Sequence, residues 1–297
     1  MNLIDIASWQ QGLDLATVYR LNPALDGVIV KVSQGTGYVN ACGRDWLDWL
    51  VKNGKPAGTY HYLDLMGAVE EARHYVESVK PWLGKAALAI DYENTTLAKG
   101  TGYLKACLDE VFRLTGVKPL VYCSQSVTQQ QDFSAIAAAG YPLWVAQYAD
   151  MRVVNGFIAK PWQSGSVAPF SGYIMQQYTS CGKLNGWSGN LDFDLYKGSA
   201  ADWAALCGGS AQPQPEPQPA PAPTKLKGPD PVVVNEIISN KFGIGAAREK
   251  KLREAGFDPQ KCQAKVNEIY GVAAKIKPLL SGNMDYINSI IKIVRQR

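Results

Sequence analysis

The chain has 297 residues, of which 46% are hydrophobic, 10% aromatic and 19% charged, with a formal net charge of +4. That much apolar material supports a real core and excludes global disorder, and the length fits one large domain with a small one, or two of moderate size. No apolar run approaches the ~20 residues that span a bilayer, and Met1-Asn2-Leu3-Ile4-Asp5 lacks a basic stretch followed by a long apolar one, so neither a transmembrane helix nor a secretory signal peptide is expected.

From the N-terminus, short apolar runs alternate with helical patterns. Leu3-Ile4-Asp5-Ile6 is an apolar start ending near a carboxylate. Strands are predicted over 27–32, 58–62, 86–92, 118–123, 142–147 and 172–178, and helices over 45–52, 69–79 and 104–114. Such alternation over about 200 residues points to an α/β fold with parallel strands. Barrel closure suits it better than a doubly wound nucleotide-binding sheet, because no GxGxxG or GxxxxGK[ST] follows the first strand. Proline then recurs at alternate positions from Pro213 to Pro223, which forbids helix and sheet pairing and favours an extended spacer. Beyond it, helices are predicted over 232–238, 246–255, 259–270 and 286–294. The domain plan is a barrel over 1–209, a Pro-rich linker over 210–229, a small helical unit over 230–271 and a helical tail over 272–297.

Charge is uneven along this plan. Residues 1–209 hold 16 basic against 18 acidic residues, and residues 210–297 hold 14 against 8. The tail's excess suits an anionic polymer or surface, and a solvated basic helix face is the alternative. The six cysteines form no CxxC pair and only His61 and His74 accompany them, so a zinc site is not expected and free buried thiols are.

The segment Ala87-Leu-Ala-Ile-Asp91-Tyr92-Glu93 carries the chemistry. Side chains at i and i+2 of a strand share a face, roughly 7 Å apart. Two carboxylates there resist ionising together, which raises one pKa and yields a proton donor at neutral pH. Glycoside cleavage needs that donor and a second carboxylate. A strand that merely ends in solvated acids is the plain alternative for Asp-x-Glu alone. Asp5 stands at another probable strand end, and Asp192 and Asp194 lie after the last predicted strand, where a turn or cap role is the alternative for either. Tyr60, Tyr62, Tyr92, Tyr122, Trp144, Tyr148 and Tyr178 gather at the same ends. Their faces suit sugar rings, and core filling is the alternative for any one of them.

Asp5-Ile-Ala-Ser-Trp-Gln10, Val28-Ile-Val-Lys-Val-Ser-Gln-Gly35, Gly58-Thr-Tyr-His-Tyr62, Ile90-Asp-Tyr-Glu93, Leu143-Trp-Val-Ala-Gln-Tyr148 and Gln176-Gln-Tyr178 through Gly189-Asn-Leu-Asp192 resemble, in order, the glycoside hydrolase family 25 lysozymes. The resemblance covers about residues 1–207. It implies an irregular (β/α) TIM-like barrel and N-acetylmuramidase activity on the β-1,4 bond from N-acetylmuramic acid to N-acetylglucosamine in peptidoglycan, with retention and with no cofactor or metal. It makes Glu93 the general acid/base, with Asp91, Asp5 and Asp192 completing the acidic cluster and Lys31 among the substrate-binding residues. Attack by a carboxylate, foremost Asp192, and attack by the substrate's own acetamido group with Asp91 orienting it both stay open.

In the tail, Val234 to Gly245, Arg248, Leu252 to Phe257 and Gln263 to Glu268 resemble the CW_7 cell-wall-binding repeat, a small all-α three-helix bundle. This implies recognition of the muropeptide, with Phe242 and Arg248 as the contact candidates. For 272–297, packing on the repeat, self-association and an anionic membrane surface are the three readings. No nucleic-acid partner is expected. The whole reads as an endolysin made in a host cytoplasm, released through phage-made pores and acting on peptidoglycan glycan strands at the wall. The rival readings are a wall-binding protein without activity and a chitinase-like glycosidase. Against the latter, Ala86 and Ala89 stand at two acidic positions of the D-x-x-D-x-D-x-E run common there.

Overall fold

A computed structural model describes residues 1–208, 227–243 and 245–276. The proline run and the helix predicted over 286–294 lie outside the described residues. The chain divides into two compact units at Gln214 and Pro215, each described here by itself.

The first unit runs β1 (Asn2–Ile6), α1 (Leu15–Leu21), β2 (Gly27–Gln34), β3 (Tyr38–Val39), α2 (Gly43–Lys52), β4 (Ala57–Tyr62), α3 (Ala68–Val79), β5 (Ala86–Asp91), α4 (Thr101–Thr115), β6 (Leu120–Ser124), α5 (Gln125–Gln130), α6 (Ser134–Ala138), β7 (Leu143–Ala146), β8 (Val154–Asn155), β9 (Met175–Lys183), β10 (Leu191–Tyr196) and α7 (Ala200–Leu206). Eight strands close a barrel in the order β1-β10-β9-β7-β6-β5-β4-β2, and a direct β1–β2 pairing joins the ends. The α/β barrel class expected from the alternating pattern is therefore the observed one.

The all-parallel arrangement is corrected at one strand. β10 runs antiparallel to both β1 and β9. Only residues 184–190 connect it to β9, too few for the crossover of a dozen or more residues that a parallel pair needs. β10 thus begins at the barrel end where the parallel strands finish, and it finishes at the other end.

Strand alternation builds two apolar layers. Outward residues such as Val28, Val30, Leu88, Ile90, Val121 and Val145 pack under the helices. Inward residues Leu3, Ile29, Ala87, Ala89, Leu120 and Met175 fill the lumen together with Trp144 and Trp203. Ala87 and Ala89 are small, which leaves room for the two indoles. Because β10 ends at the base, α7 follows there and seals it. Trp203 enters the lumen and donates from Nε1 to the Ala57 carbonyl at 3.0 Å. Gly58 permits this, since a Cβ there would lie 3.0 Å from Ile29 and 3.2 Å from Trp203.

The second unit contains α8 (Pro231–Ile238), α9 (Gly245–Glu254) and α10 (Pro259–Ile276). Asp230 caps α8 by accepting from Val233 N at 2.8 Å, with Pro231 in the first turn. Val233, Val234, Ile237, Leu252, Cys262, Val266 and Ile269 form its core. α10 continues through Gly271 to Ile276. All six cysteines are free, four of them buried. Among the described residues no helix is long and apolar enough to cross a membrane.

Trp203→Ala empties the seal and should lower unfolding free energy by about 3–5 kcal/mol. Urea unfolding followed by far-UV circular dichroism measures this; a loss below about 1 kcal/mol would mean the indole is not closing the base.

Candidate active site

The parallel strands finish around one cavity of about 250 Å³, lined by Asp5, Tyr60, Asp91, Glu93, Tyr122, Trp144, Tyr148, Gln177 and Asp192. Each acid arrives by a separate local rule. Asp91 is the last residue of β5, and Glu93 continues on extended backbone (φ −153°, ψ 178°), so both project inward. Asp5 pairs in register with Asp192 across β1 and β10. Asp192 reaches the cavity only because β10 is inverted, which puts its start at this end.

Four carboxyls in so small a space lose water and repel one another. Burial, then Asp5 and Glu93, push Asp192 up to about 8. Burial raises Asp5 to about 6, held from going higher first by the hydrogen bond from Gln177. Asp91 lies well above the usual carboxylate range, first through burial and then through Glu93. Glu93 is raised by burial, against the pull of Lys31 and Asn94. These directions give a cluster that retains protons at neutral pH.

The polar frame is specific. Gln177 Nε2 donates to Asp5 Oδ2 at 2.7 Å. The hydroxyls of Tyr122 and Tyr148 donate to Gln177 Oε1 at 2.9 and 2.5 Å. Trp144 forms the floor, with its ring centroid 4.6 Å from Tyr122 and 6.4 Å from Tyr60. Its Nε1 donates to Asp194 at 2.8 Å, so that N–H is already used inside the protein. Lys31 lies 4.5 Å over the Tyr62 ring and donates to Gln34 Oε1 at 2.7 Å. Tyr62 accepts at its hydroxyl from Asn94 Nδ2 at 3.0 Å. Lys31 and Tyr62 therefore border the acids.

Two of the expected aromatic contacts are corrected. Tyr92 sits between Asp91 and Glu93 on the opposite face of β5. It is buried under the helices, where its hydroxyl donates to Gln131 Oε1 at 2.6 Å and its ring meets Phe133. Tyr178 likewise faces away from the cavity, because Gln177 takes the inward position. Its ring packs 6.2 Å from Phe193 and its hydroxyl accepts from Ile158 N at 3.3 Å. Gln177 itself was missed. Strand alternation in Gln176-Gln177-Tyr178 held the signal, but aromaticity drew attention to the neighbour. Trp9, 88% exposed in the short turn after β1 at this same barrel end, was also passed over.

In the second unit Phe242 packs against the bundle core. Arg248 donates from Nε to the Gly243 carbonyl at 2.6 Å and from Nη1 to Gln263 Oε1 at 3.1 Å. Both side chains thus hold the unit's own fold together.

Known proteins share these parts. The family model for glycosyl hydrolases family 25 matches residues 4–187, and the CW_7 repeat matches residues 232–270. The lysozyme of Streptococcus phage Cp-7 is 28% identical over 275 residues, covering 90% of this chain and 69% of that protein. The autolytic lysozyme of Clostridium acetobutylicum is 27% identical over 197 residues, covering 66% of this chain and 56% of that protein. The bacterial lysozyme from Streptomyces coelicolor shares the barrel fold, with a TM-score of 0.59 at 20% identity over 71% of this chain and 98% of its own.

Asp192 goes from 3.8 to about 8 on folding, so the folded chain keeps a proton that the unfolded chain releases. That contribution to stability is full below the unfolded value and disappears as pH rises toward the folded one. Asp192→Asn removes the loss, and its Tm gain over wild type should be larger at pH 8 than at pH 5. An equal gain at both pH values would contradict the burial account.

Proposed function

The chain belongs to glycosyl hydrolases family 25, and we propose that it is an N-acetylmuramidase that hydrolyses the β-1,4 bond between N-acetylmuramic acid and N-acetylglucosamine in bacterial peptidoglycan. The observation that carries this reading is the pairing of Asp91 and Glu93 on one face at the end of β5, in a cavity that also holds Asp5 and Asp192.

In this mechanism Glu93 is the acid. Its raised pKa keeps a proton available, and that proton goes to the glycosidic oxygen as the bond to the muramic C1 breaks. The carbonyl oxygen of the 2-acetamido group closes on C1, and Asp91 accepts from the acetamido N–H and balances the positive charge that forms. Water then opens the ring intermediate and returns its proton to Glu93, so configuration at C1 is retained. The Asp91–Glu93 spacing favours this route, since it sets an orienting carboxylate beside the acid, and direct attack by Asp192 is the alternative. Tyr60 and Tyr122 offer ring surface to the sugar, and Lys31 tempers the charge of Asp91 and Glu93.

The CW_7 unit supplies wall targeting in this reading, by holding the muropeptide part of peptidoglycan. An endolysin role fits the phage lysozyme relative: synthesis in a host cytoplasm, passage through phage-made pores and lysis of the host wall.

Purified peptidoglycan digested by wild type and by Glu93→Gln, then reduced and read by mass spectrometry, tests the reading. Wild type should release fragments ending in reduced muramic acid, and Glu93→Gln should be slower by about 10²–10⁴-fold. Fragments ending in reduced glucosamine would place the cut at the other bond. No fragments, with wall binding intact, would leave a binding protein.

A further inference from the structure

Asp194 lies beneath the cavity, two residues along β10 from Asp192 and on the same inward face. Its side chain is fully buried. One oxygen accepts from Trp144 Nε1 at 2.8 Å, and the other, Oδ2, has no N–H or hydroxyl partner among the described residues. Antiparallel register sets Asp194 opposite Leu3 on one side and opposite Gln177 on the other. Asp5, two residues from Leu3 and bonded to Gln177, is its diagonal neighbour.

A buried carboxylate with one N–H donor and no cation against it is a costly arrangement. The titratable groups that act on it or feel it are Asp5 on β1, Tyr148 after β7, Tyr178 on β9 and Asp192 on its own strand. Lys31, the nearby cation on β2, acts instead on Asp91 and Glu93. A protonated carboxyl resolves the conflict, because it has one O–H to donate and Asp5 presents an acceptor.

We propose that Asp194 is a positioning residue of the site, a neutral carboxylic acid whose O–H donates to Asp5, and that with Gln177 it keeps Asp5 ionised and fixed in orientation. Burial first, and then the charge of Asp5, hold the Asp194 proton in place. Asp5 then holds a fixed negative charge on the β1 side of the cavity, opposite the Asp91–Glu93 pair. Only the activity arm of the test rests on the muramidase reading.

The test compares Asp194→Asn and Asp194→Leu in the full chain. Asparagine keeps a donor for Asp5 and an acceptor for Trp144, and leucine keeps neither. Asp194→Asn should retain most of kcat with the acid limb of its pH profile in place. Asp194→Leu should lose about tenfold or more in kcat near pH 6 and shift its acid limb to higher pH, because Asp5 without its donor holds a proton more tightly. Both variants behaving alike, or Asp194→Asn being the worse of the two, would overturn the proposal. A readout independent of activity and of variant folding is carboxyl ¹³C NMR of wild type. The Asp194 resonance should keep its protonated position at pH 7, and an ionised position there would also overturn it.

Discussion

Carboxyls confined in a poorly hydrated space cannot all carry charge, and the rest of the barrel is arranged around that constraint. In water, two charges about 4 Å apart repel by roughly 1 kcal/mol, and by several times that where the surroundings are less polarisable. The cavity brings together Asp5, Asp91, Glu93 and Asp192, with Asp194 beneath them. Protons stay where they would be lost in solvent, and a held proton is what a glycosidase delivers to its leaving group. Lys31 and the Gln177 amide limit the effect, so some charge remains to meet a developing cation.

The backbone topology makes this possible. Parallel strands alone would bring their last residues to one end. The short β9–β10 connection inverts the final strand and adds its first inward residues to the same end. Asp192 at the cavity, Asp194 beneath it and Tyr196 at the base are consecutive inward positions of a single strand. The same inversion delivers α7 to the base, where Trp203 shuts the lumen. One topological choice thus supplies two members of the acid group and closes the end opposite them.

Much of this was readable from the residues. Asp91, Glu93, Tyr60, Tyr122, Trp144 and Tyr148 were placed by strand-end patterns, because an apolar run that stops in polar or aromatic residues marks the mouth of a parallel barrel. The limit lay in applying period two. Tyr92 and Tyr178 were grouped with the site by residue type, although each alternates with an inward neighbour. No strand is predicted over 191–196, where Leu191-Asp-Phe-Asp194 mixes charge into the pattern, and only burial against Asp5 and Trp144 makes that pattern sensible. Orientation of the last strand follows from a seven-residue connection, which a pattern search does not weigh. In the second unit, Arg248, a ligand-contact candidate by its fork geometry, also bonds within the unit to Gly243 and Gln263, which no periodicity in the sequence announces.

The account turns on protons held by the acid cluster, and a titration of the aspartate carboxyls by ¹³C NMR in the intact chain tests it most directly. The account predicts that Asp5 titrates near 6 and Asp192 near 8, both far above the ordinary 3.8. If both titrated at ordinary aspartate values, the cluster would be fully ionised at neutral pH. The acid role of Glu93 and the neutral state of Asp194 would then lose their physical basis.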